Sequence, residues 1–358
     1  MQLPAHMDVS GDISRSRIPA FRLIEDQLNQ AKELLNKQLT VSARLSDISQ
    51  LLDHINSRSA KMIRPGLVLL SYRAVRDDFD ELGRVASSEK KPQDTIRNTQ
   101  YEAIRIAAIV EMIHNATLLH DDVIDEGQQR RGLPSINSLC GNESAVLLGD
   151  FLLSQVFKMC TELELKVTNV IADAAARTCE GELRQVILRR NWQMRESEYI
   201  DIITEKTAAF FSSCCRLGAL LAKATKTQVQ ALGRFGLDAG VAFQITDDLL
   251  DLTGDESQTG KTVGSDVNTY KPTLPVIHLL RVVERREKTA IINQLNHTAG
   301  IRKKALLKML RSHGSLEYTR ERAQEFVDRA VRALAGIKKS SAKEALVETA
   351  TFMANRAI

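Results

Sequence analysis

Aromatic residues make up only 4% of this sequence of 358 residues, which holds just 18 glycines and 7 prolines. Chain-breaking residues are therefore sparse, while stretches rich in Ala, Leu, Ile, Arg and Glu are long. These residues favour helix. The composition predicts an all-α protein, and the length allows one large domain or two ordinary ones.

Cysteine is scarce as well. The five cysteines are odd in number and lack CxxC spacing; they are Cys140, Cys160, Cys179, Cys214 and Cys215. This pattern is typical of reduced core thiols in a cytosolic protein, so we expect a cytoplasmic location.

Long apolar runs and strong net charge are also missing. No uninterrupted apolar run approaches the ~18 residues that a membrane-spanning helix needs, and the N-terminus shows no apolar segment of a secretory signal. A peripheral contact with a membrane stays open. The net charge is only +4, with basic residues scattered among acidic ones, which argues against a nucleic-acid-binding protein.

Two short motifs share the pattern Asp-Asp-x-x-Asp, and each follows apolar residues at helical spacing. Their aspartates are Asp121, Asp122 and Asp125 in the first, and Asp247, Asp248 and Asp251 in the second. On a helix, the first and last carboxylates of a motif share one face, within ~6 Å at Cβ. Grouping them around an apolar pocket requires cations, because unpaired buried charges are costly.

The motifs therefore predict a metal site. Oxygen ligands favour a hard ion, Mg²⁺ or Ca²⁺. An EF-hand is excluded, because neither motif has the alternating acids, central Gly and terminal Glu of a calcium loop. Mg²⁺ takes few carboxylates and adds water and substrate phosphates, so we expect a phosphorylated ligand. A solvated helix face is the alternative for a single motif, and the second copy makes that alternative much weaker.

Basic residues near a helix start suit such a ligand. Lys61 and Arg64 precede Pro65, which fits the first turn of a helix, where free amides and two cations together suit a diphosphate. Two unrelated surface cations remain an alternative. His114 lies two turns before the first motif and could face the same cavity, whereas we assign His120 no role.

Further basic residues occupy the loops after each motif. Arg130 and Arg131 follow the first motif, where guanidinium groups could bind a phosphate or simply pair with the aspartates. Lys261 and Lys271 lie in a Gly- and Thr-rich loop after the second motif. Such loops are mobile and can place cations over a site.

Hydrophobic periodicity predicts the helices. Residues 1–17 are polar and expected to be loose, and residues 18–358 are expected to form one domain. The helices are predicted from Ile18, at about 46–54, 101–125, 167–191 and 197–224, and from 273 onward with breaks near 296–300 and 312–315. The polar stretch 76–98 predicts a long loop, and Asn142 with Glu143 predicts a helix cap.

Seven sequence blocks occur in a distinctive order: KMIRP, EMIHNATLLHDDVIDEGQQRRG, GNESAVLLGDF, GELRQ, EKTA, FQITDDLLD and GKTVGSDVNTYKPTLP. In them the chain resembles the trans-isoprenyl (polyprenyl) diphosphate synthases, over essentially its whole length from about residue 18. The resemblance implies a single large bundle of antiparallel helices around a central cavity, the isoprenoid synthase fold, usually as a homodimer. It also implies Mg²⁺-dependent head-to-tail condensation of isopentenyl diphosphate with an allylic diphosphate.

The resemblance also implies roles for individual residues. The six motif aspartates would hold Mg²⁺ bridged to the allylic diphosphate, with Asp121, Asp125 and Asp247 as the main ligands. The allylic diphosphate site would comprise Arg130, Lys206, Thr207, Gln244, Lys261 and Lys271. Of these, Thr207 and Gln244 would lie beside the reacting carbons, and Lys271 would close over the site. The isopentenyl diphosphate site would comprise Lys61, Arg64, His114 and Arg131.

Two positions depart from the family pattern. Ser59, Ala60, Lys61 and Met62 stand where the family has Gly-Gly-Lys-Arg, and Tyr270 stands where it usually has Gly before the last Lys. We expect altered loop shapes at both positions rather than loss of activity.

Product length would depend on residues below the first motif. Ala116 and Thr117 lie about one turn before Asp121 and point down the cavity. Bulky aromatics close this position in short-chain members of the family, so small residues predict a long product of C30 or more, as for a quinone side chain. The deeper walls have three candidates, for which ordinary core packing is an equal explanation: Met112, Phe157 and Ile171.

Two alternatives remain at this stage. A class I terpene cyclase shares metal-assisted diphosphate ionisation, but it usually needs only one diphosphate site. A regulatory subunit of a heteromeric prenyl synthase is the other alternative, although such subunits typically lose acidic motifs that this chain retains.

Overall fold

Apolar residues recur at three- and four-residue spacing along most of the chain, with few glycines or prolines between them. The computed structural model describes residues 18–42, 46–56, 61–76, 93–130, 132–254, 265–296 and 303–355. Across these ranges the chain is helical apart from loops, turns and one hairpin of two short strands. The predicted all-α class is confirmed.

The helices are numbered in chain order. A 3₁₀ turn (Pro19–Ile24) leads into α1 (Glu25–Ser42), followed by α2 (Ser46–Asn56), α3 (Ile63–Val75) and α4 (Gln93–Ile124). A hairpin of β1 (Gln129–Arg130) and β2 (Leu133–Pro134) precedes α5 (Ile136–Cys160), α6 (Leu165–Ile187), α7 (Glu196–Ile203), a π-turn (Thr204–Ala208), α8 (Ala209–Leu221) and α9 (Lys226–Thr253). The last part contains α10 (Ser265–Asn268), α11 (Leu274–Val282), α12 (Arg285–Asn296), α13 (Lys303–Ser312), α14 (Ser315–Ala333), a 3₁₀ turn (Leu334–Gly336) and α15 (Ser341–Asn355).

Helix α3 lies in the core, with 11 of its 13 residues buried. It packs on α4 and α8, α8 packs on α9, and α9 packs on α14. Two glycines allow close approaches that a side chain would block. A Cβ at Gly218 would lie 2.1 Å from the carbonyl oxygen of Val68 in α3, and one at Gly240 would lie 2.6 Å from the Cα of Ala208 in the π-turn. These contacts bring α8 close to α3, and α9 close to the π-turn.

Two apolar clusters hold the structure together. The larger one extends from Ile18 to Met353 and includes the buried faces of α3, α4, α8 and α9. A smaller cluster joins the end of α9 to α11, α12 and α13, and contains Trp192. The indole nitrogen of Trp192 donates to Asn296 Oδ1 at 2.7 Å, so this single tryptophan is both packed and hydrogen-bonded.

Some predicted helix limits were wrong. Helix α4 begins at Gln93, so residues 93–98 are helical rather than part of a loop; residues 77–92 lie outside the described ranges. A polar stretch can extend a helix whose next turns are buried, because propagation is easier than nucleation. The helix predicted at 197–224 is divided by the π-turn at Thr204–Ala208.

The start of α5 also differs from the prediction. The helix begins at Ile136, capped by the Ser135 hydroxyl, which accepts a hydrogen bond from the Ser138 amide at 3.4 Å. Gly141 then interrupts the helix with a left-handed φ of 85°, and helix resumes at Asn142. A helical segment therefore starts after Gly141, where Asn142 and Glu143 predicted one, and the short helical segment at 136–140 before it was not predicted.

The breaks predicted in the last third of the chain fall close to observed ones. Helix α12 ends at Asn296, and residues 297–302 lie outside the described ranges. Gly314, with φ of 67°, separates α13 from α14 and confirms the second break. Among the helices that the structure describes, none is both long and apolar enough to cross a bilayer.

Candidate active site

The first acidic motif lies at the C-terminal end of α4, and its middle carboxylate is buried. Asp122 is 2% exposed and accepts two hydrogen bonds at Oδ1 from Arg130, from Nε at 2.7 Å and from Nη2 at 2.5 Å. The hairpin that carries Arg130 is held in place by Ser135 and Asn137, whose side chains donate to the Gly127 carbonyl. Arg130 therefore lies beside the motif, in the salt-bridge arrangement that the sequence left open. Arg131 lies outside the described residues.

The last carboxylate of the first motif contacts two cations. Asp125 Oδ2 accepts from Lys271 Nζ at 2.6 Å, and Asp125 Oδ1 accepts from Arg189 Nη2 at 2.9 Å. Lys271 comes from a segment 146 residues further along the chain. Arg189 was missed, because nothing in the local sequence marks a residue just past the end of α6 as a neighbour of the motif.

The second motif lies at the C-terminal end of α9, and its middle carboxylate anchors a hydrogen-bond chain. Asp248 accepts from the Tyr199 hydroxyl at 2.7 Å and from Gln244 Nε2 at 2.8 Å. Gln244 Oε1 in turn accepts from the Thr207 hydroxyl at 2.7 Å. This series of hydrogen bonds leads from Thr207 in the π-turn to Tyr199 on α7. Tyr199 was not predicted from the sequence.

Residues 265–273, here called the strap, connect the two motifs. Asp251 of the second motif accepts from the Ser265 hydroxyl at 3.0 Å and from the Asp266 amide at 3.1 Å. At the other end of the strap, Lys271 contacts Asp125 of the first motif, and its Nζ lies 3.7 Å from Asp266 Oδ1. The two acidic motifs therefore belong to one site. Lys261 lies outside the described residues.

Lys206 reaches the site from the π-turn. A Cβ at Gly181 would lie 2.2 Å from the Lys206 amide nitrogen, so only a glycine lets α6 pack against the turn this closely. Lys206 Nζ donates to Gln185 Oε1 at 2.9 Å and pairs with Glu182. All three partners come from the GELRQ block, whose function the sequence alone did not explain. A π-turn inside a helix often marks a functional site.

Of the residues of the predicted isopentenyl diphosphate site, Arg64 lies on α3, His114 lies on α4, and Lys61 lies just before α3. Lys61 is exposed, while Arg64 and His114 are half-buried. The Arg64 guanidinium lies 5.3 Å and 5.2 Å from the ring centres of Phe210 and Phe211 on α8. The preceding Met62 has a left-handed φ of 49°, at a position where the family pattern has Arg.

The residues predicted to line the cavity differ in their exposure. Ala116 is fully buried, and Thr117 is half-buried with its hydroxyl donating to the His114 carbonyl at 2.8 Å. Met112 on α4 and Ile171 on α6, proposed as deeper walls, are buried as well. Phe157 is 68% exposed, so its assignment to a deep wall was wrong. It lies on the outward face of α5, and spacing alone could not say which apolar face of that helix is buried.

Burial strongly affects the titration of the site. It raises the pKa of Asp121 to about 6, even though the charge of Lys206 opposes the shift. It raises the pKa of Asp248 to about 8, and the charge of Asp266 acts in the same direction. For Lys206, burial disfavours the charged form, but Asp121 and Glu182 outweigh it and raise the pKa. Carboxylates that are so costly to ionise would be stabilised by a divalent cation.

The donor set fits a hard divalent ion. All six motif side chains offer carboxylate oxygens, which suit Mg²⁺. Within the described ranges, no three Asp, Glu, His or Cys side chains already converge on one metal position.

The raised pKa of Asp121 predicts pH-dependent binding. Below pH 6 its carboxyl group is largely protonated, and the proton must leave before the oxygen can bind a metal. We expect Mg²⁺ with inorganic diphosphate to bind severalfold more tightly at pH 7.5 than at pH 5.5, measured by calorimetry. The Asp121→Asn variant controls for titration of the diphosphate itself, and an equal pH dependence in both proteins would contradict the prediction.

The chain is similar to known proteins. Residues 46–310 match the family model described as polyprenyl synthetase. The chain is 35% identical over 311 residues to an octaprenyl diphosphate synthase of Escherichia coli, a match covering 86% of this chain and 90% of that protein.

Solved structures share the fold. A polyprenyl synthase from Caulobacter crescentus, complexed with calcium and isoprenyl diphosphate, superposes with a TM-score of 0.82 at 29% identity, over 98% of this chain and 99% of that one. A decaprenyl diphosphate synthase from Rhodobacter capsulatus gives 0.81 at 31% identity, over 95% and 98% of the two chains. With a family model that spans well over half of its residues, this chain belongs to the polyprenyl synthetase family.

Proposed function

We propose that this protein condenses isopentenyl diphosphate head to tail with an allylic diphosphate to give a long all-trans polyprenyl diphosphate, C30 or longer. The observation that carries the proposal is the bridge from Asp251 through the strap to Asp125, which gathers both acidic motifs and their cations into one site. The octaprenyl and decaprenyl synthases among the similar proteins support the long product.

Mg²⁺ is the proposed cofactor, held by Asp121, Asp125 and Asp247. When bound, it would neutralise charge on the departing diphosphate and so assist heterolysis of the allylic C–O bond. The other aspartates have different tasks. Asp122 orients Arg130, and Asp248 orients Gln244 through direct hydrogen bonds. We therefore propose that these two support the site instead of acting as main ligands.

The basic residues would bind the same diphosphate. Arg130 uses only two of its five N–H donors on Asp122, which leaves others for phosphate oxygens. Lys206 and Lys271 are buried or half-buried ammonium groups at the motifs, and Lys261 is proposed to join them. Lys61, Arg64, His114 and Arg131 are proposed to hold isopentenyl diphosphate.

The bond-forming step needs no nucleophilic side chain. The double bond of isopentenyl diphosphate would attack the allylic cation, and a proton would then pass to the departing diphosphate. Thr207 and Gln244 are hydrogen-bonded to each other, which holds their polar atoms in place, and they are proposed to lie beside the reaction centre. Ordered polar groups of this kind stabilise developing charge without reorganisation.

Tyr199 offers a specific test of the hydrogen-bond chain. Removing its hydroxyl in Tyr199→Phe leaves buried Asp248 without one of its donors. We expect kcat to fall about tenfold, as is typical when the support of a site residue is lost. Tyr72→Phe is the matched control, because Tyr72 is also fully buried and its hydroxyl is hydrogen-bonded to the Thr99 hydroxyl at 2.9 Å. Both variants should lose about 1–2 kcal/mol of unfolding free energy. If Tyr199→Phe and Tyr72→Phe had the same kcat, the role assigned to Tyr199 would be contradicted.

A homodimer is also proposed. Helix α6 exposes an apolar stripe containing Leu165 (74% exposed), Leu183 (62%) and Ile187 (77%), and α5 exposes Leu147 and Phe157. Residues 165 and 183 share one face, since 18 residues make five full turns. Such a stripe is typical of an interface. Sedimentation velocity is expected to show about twice the chain mass of 39.9 kDa, and the double variant Leu183→Lys, Ile187→Lys is expected to sediment as a monomer.

The proposed location is the cytoplasm, supported by five free cysteines, of which three are buried. Peripheral membrane contact during product release is proposed from the apolar nature of a long product alone. Vesicle co-sedimentation with and without substrates would test it, and equal protein in the pellet under both conditions would count against it.

Product analysis tests the function. The purified chain is incubated with labelled isopentenyl diphosphate, several allylic diphosphates and Mg²⁺, and the products are separated by length. Labelled products of C30 or more are expected. A terpene cyclase would not incorporate the label, and a subunit of a heteromeric synthase would do so only after a second chain is added.

A further inference from the structure

The strap places the Lys271 ammonium group against Asp125 of the first motif. Lys271 is 4% exposed, and its amide donates to the Asp266 carbonyl at 2.8 Å, while its ammonium group contacts Asp125. A buried ammonium group stays in one place only if the backbone that carries it is fixed. The neighbouring residue, Tyr270, shows how this is achieved.

Tyr270 and Arg190 form a paired contact between the strap and the end of α6. The Arg190 amide donates to the Tyr270 carbonyl at 2.9 Å, and the Arg190 guanidinium carbon lies 3.9 Å from the centre of the Tyr270 ring. A cation this close to an aromatic face is attracted by the ring. The contact therefore joins backbone to backbone and side chain to side chain.

Both residues adopt a backbone conformation that non-glycine residues rarely use. Their φ angles are 58° for Tyr270 and 64° for Arg190. Each such residue costs about 1 kcal/mol or more and persists only where its surroundings hold it. A glycine at 270, as in the family pattern, would adopt this φ freely but would give Arg190 no ring.

Arg189 and Arg190 contact different partners. Arg189 contacts the Asp125 carboxylate directly, and Arg190 holds the residue next to Lys271. Two consecutive arginines thus fix both partners of the Lys271–Asp125 ion pair. Neither arginine belongs to the motifs from which the site was predicted.

We propose that Arg190 is a positioning residue, which clamps Tyr270 and thereby sets Lys271 over the first acidic motif. This inference rests on the proposed function, because it explains how that same site would hold its diphosphate. Its loss should free the strap and weaken diphosphate binding, with a smaller effect on the chemical step.

The only tryptophan of the chain can report on the clamp. Trp192 lies two residues after Arg190, and both Tyr270 and Val267 of the strap pack against its apolar cluster. Trp192 is 6% exposed. Release of the strap should therefore open Trp192 to a soluble quencher such as acrylamide.

The test uses matched substitutions in the full-length protein. Arg190→Asn and Tyr270→Asn each remove one side of the stacked pair, and asparagine tolerates the left-handed backbone. Tyr270→Phe keeps an aromatic ring and serves as the conservative variant. Arg281→Gln is the control, because it removes a guanidinium 5.1 Å from the Tyr318 ring, at a site outside the strap.

We expect Arg190→Asn and Tyr270→Asn to increase acrylamide quenching of Trp192 about twofold. The KM for the allylic diphosphate should rise about five- to tenfold, with kcat changed much less. The double variant should be no worse than either single one, since both remove the same contact. Tyr270→Phe and Arg281→Gln should resemble the unaltered protein in quenching and in KM.

A binding readout separates this proposal from the proposed function. Mg²⁺ with inorganic diphosphate is titrated while Trp192 emission is followed, which requires no turnover. Unchanged quenching and unchanged diphosphate affinity in Arg190→Asn would overturn the clamp, as would additive effects in the double variant. If the unaltered protein incorporates no isopentenyl diphosphate, the proposed function fails, whatever the quenching shows.

Discussion

Replacing Asp121 by Asn is expected to lower kcat/KM for the condensation about a thousandfold. Such a loss corresponds to ~4 kcal/mol of transition-state stabilisation, the range expected when a charge-neutralising metal is no longer held correctly. The variant keeps the shape of the side chain and removes the charge that α4 presents next to Lys206. Steady-state incorporation of labelled isopentenyl diphosphate at saturating Mg²⁺ measures the loss.

The substitution has a clear control. Asp173→Asn changes an exposed aspartate on α6 and should leave kcat/KM unchanged within twofold. Asp247→Asn in the second motif should match the loss of Asp121→Asn, because both residues are proposed as main ligands. Folding is checked by the free energy of unfolding, which should not decrease in Asp121→Asn, since the costly buried charge is gone. A loss below tenfold would argue against a metal at the first motif.

The second large effect concerns product length. Ala116→Phe places a ring at a fully buried position one turn before Asp121, where it should block the cavity. The main product is expected to shift from C30 or longer to C20 or shorter, while isopentenyl diphosphate is still incorporated. Separation of the labelled products by chain length measures this shift.

Overpacking can itself cost about 1–3 kcal/mol, so a second variant is needed. Thr117→Phe alters a half-buried neighbour, where a larger ring is easier to accommodate. Ala290→Phe, at an exposed position of α12, is the control and should leave product length unchanged. If neither Ala116→Phe nor Thr117→Phe shortens the product while both remain active, these residues do not form the cavity floor.

The sequence predicted the parts of the site that lie on one continuous helix. Asp121 and Asp125 are i, i+4 neighbours, and the apolar residues before them show which way the helix faces. The same is true of Asp248 and Gln244, whose spacing of four residues gives the hydrogen bond seen at 2.8 Å. Helical periodicity fixes such relations before any tertiary contact is known.

Contacts across elements could not be read in the same way. Tyr199 and Arg189 reach the motifs only because α7 and the end of α6 pack beside them, and no local spacing encodes that approach. The start of α5 was predicted only in part. Both Ser135 and Asn142 are good capping residues, and the break at Gly141 leaves a helical segment after each of them, of which only the second was predicted.

The departure at Tyr270 illustrates a further limit. The sequence predicted an altered loop shape there, because a residue with a side chain replaces the family's glycine. It did not predict that Arg190, 80 positions earlier in the chain, would stack on the ring and hold the same left-handed backbone. A pairwise contact of this kind needs coordinates to be seen.

The central claim is that the two acidic motifs bind a diphosphate substrate through divalent ions, and metal removal tests it most directly. The purified protein is treated with EDTA, and incorporation of labelled isopentenyl diphosphate is measured before treatment, after it, and after excess Mg²⁺ is restored. The account predicts that incorporation falls to background and then recovers with Mg²⁺. Undiminished incorporation after complete metal removal would contradict it.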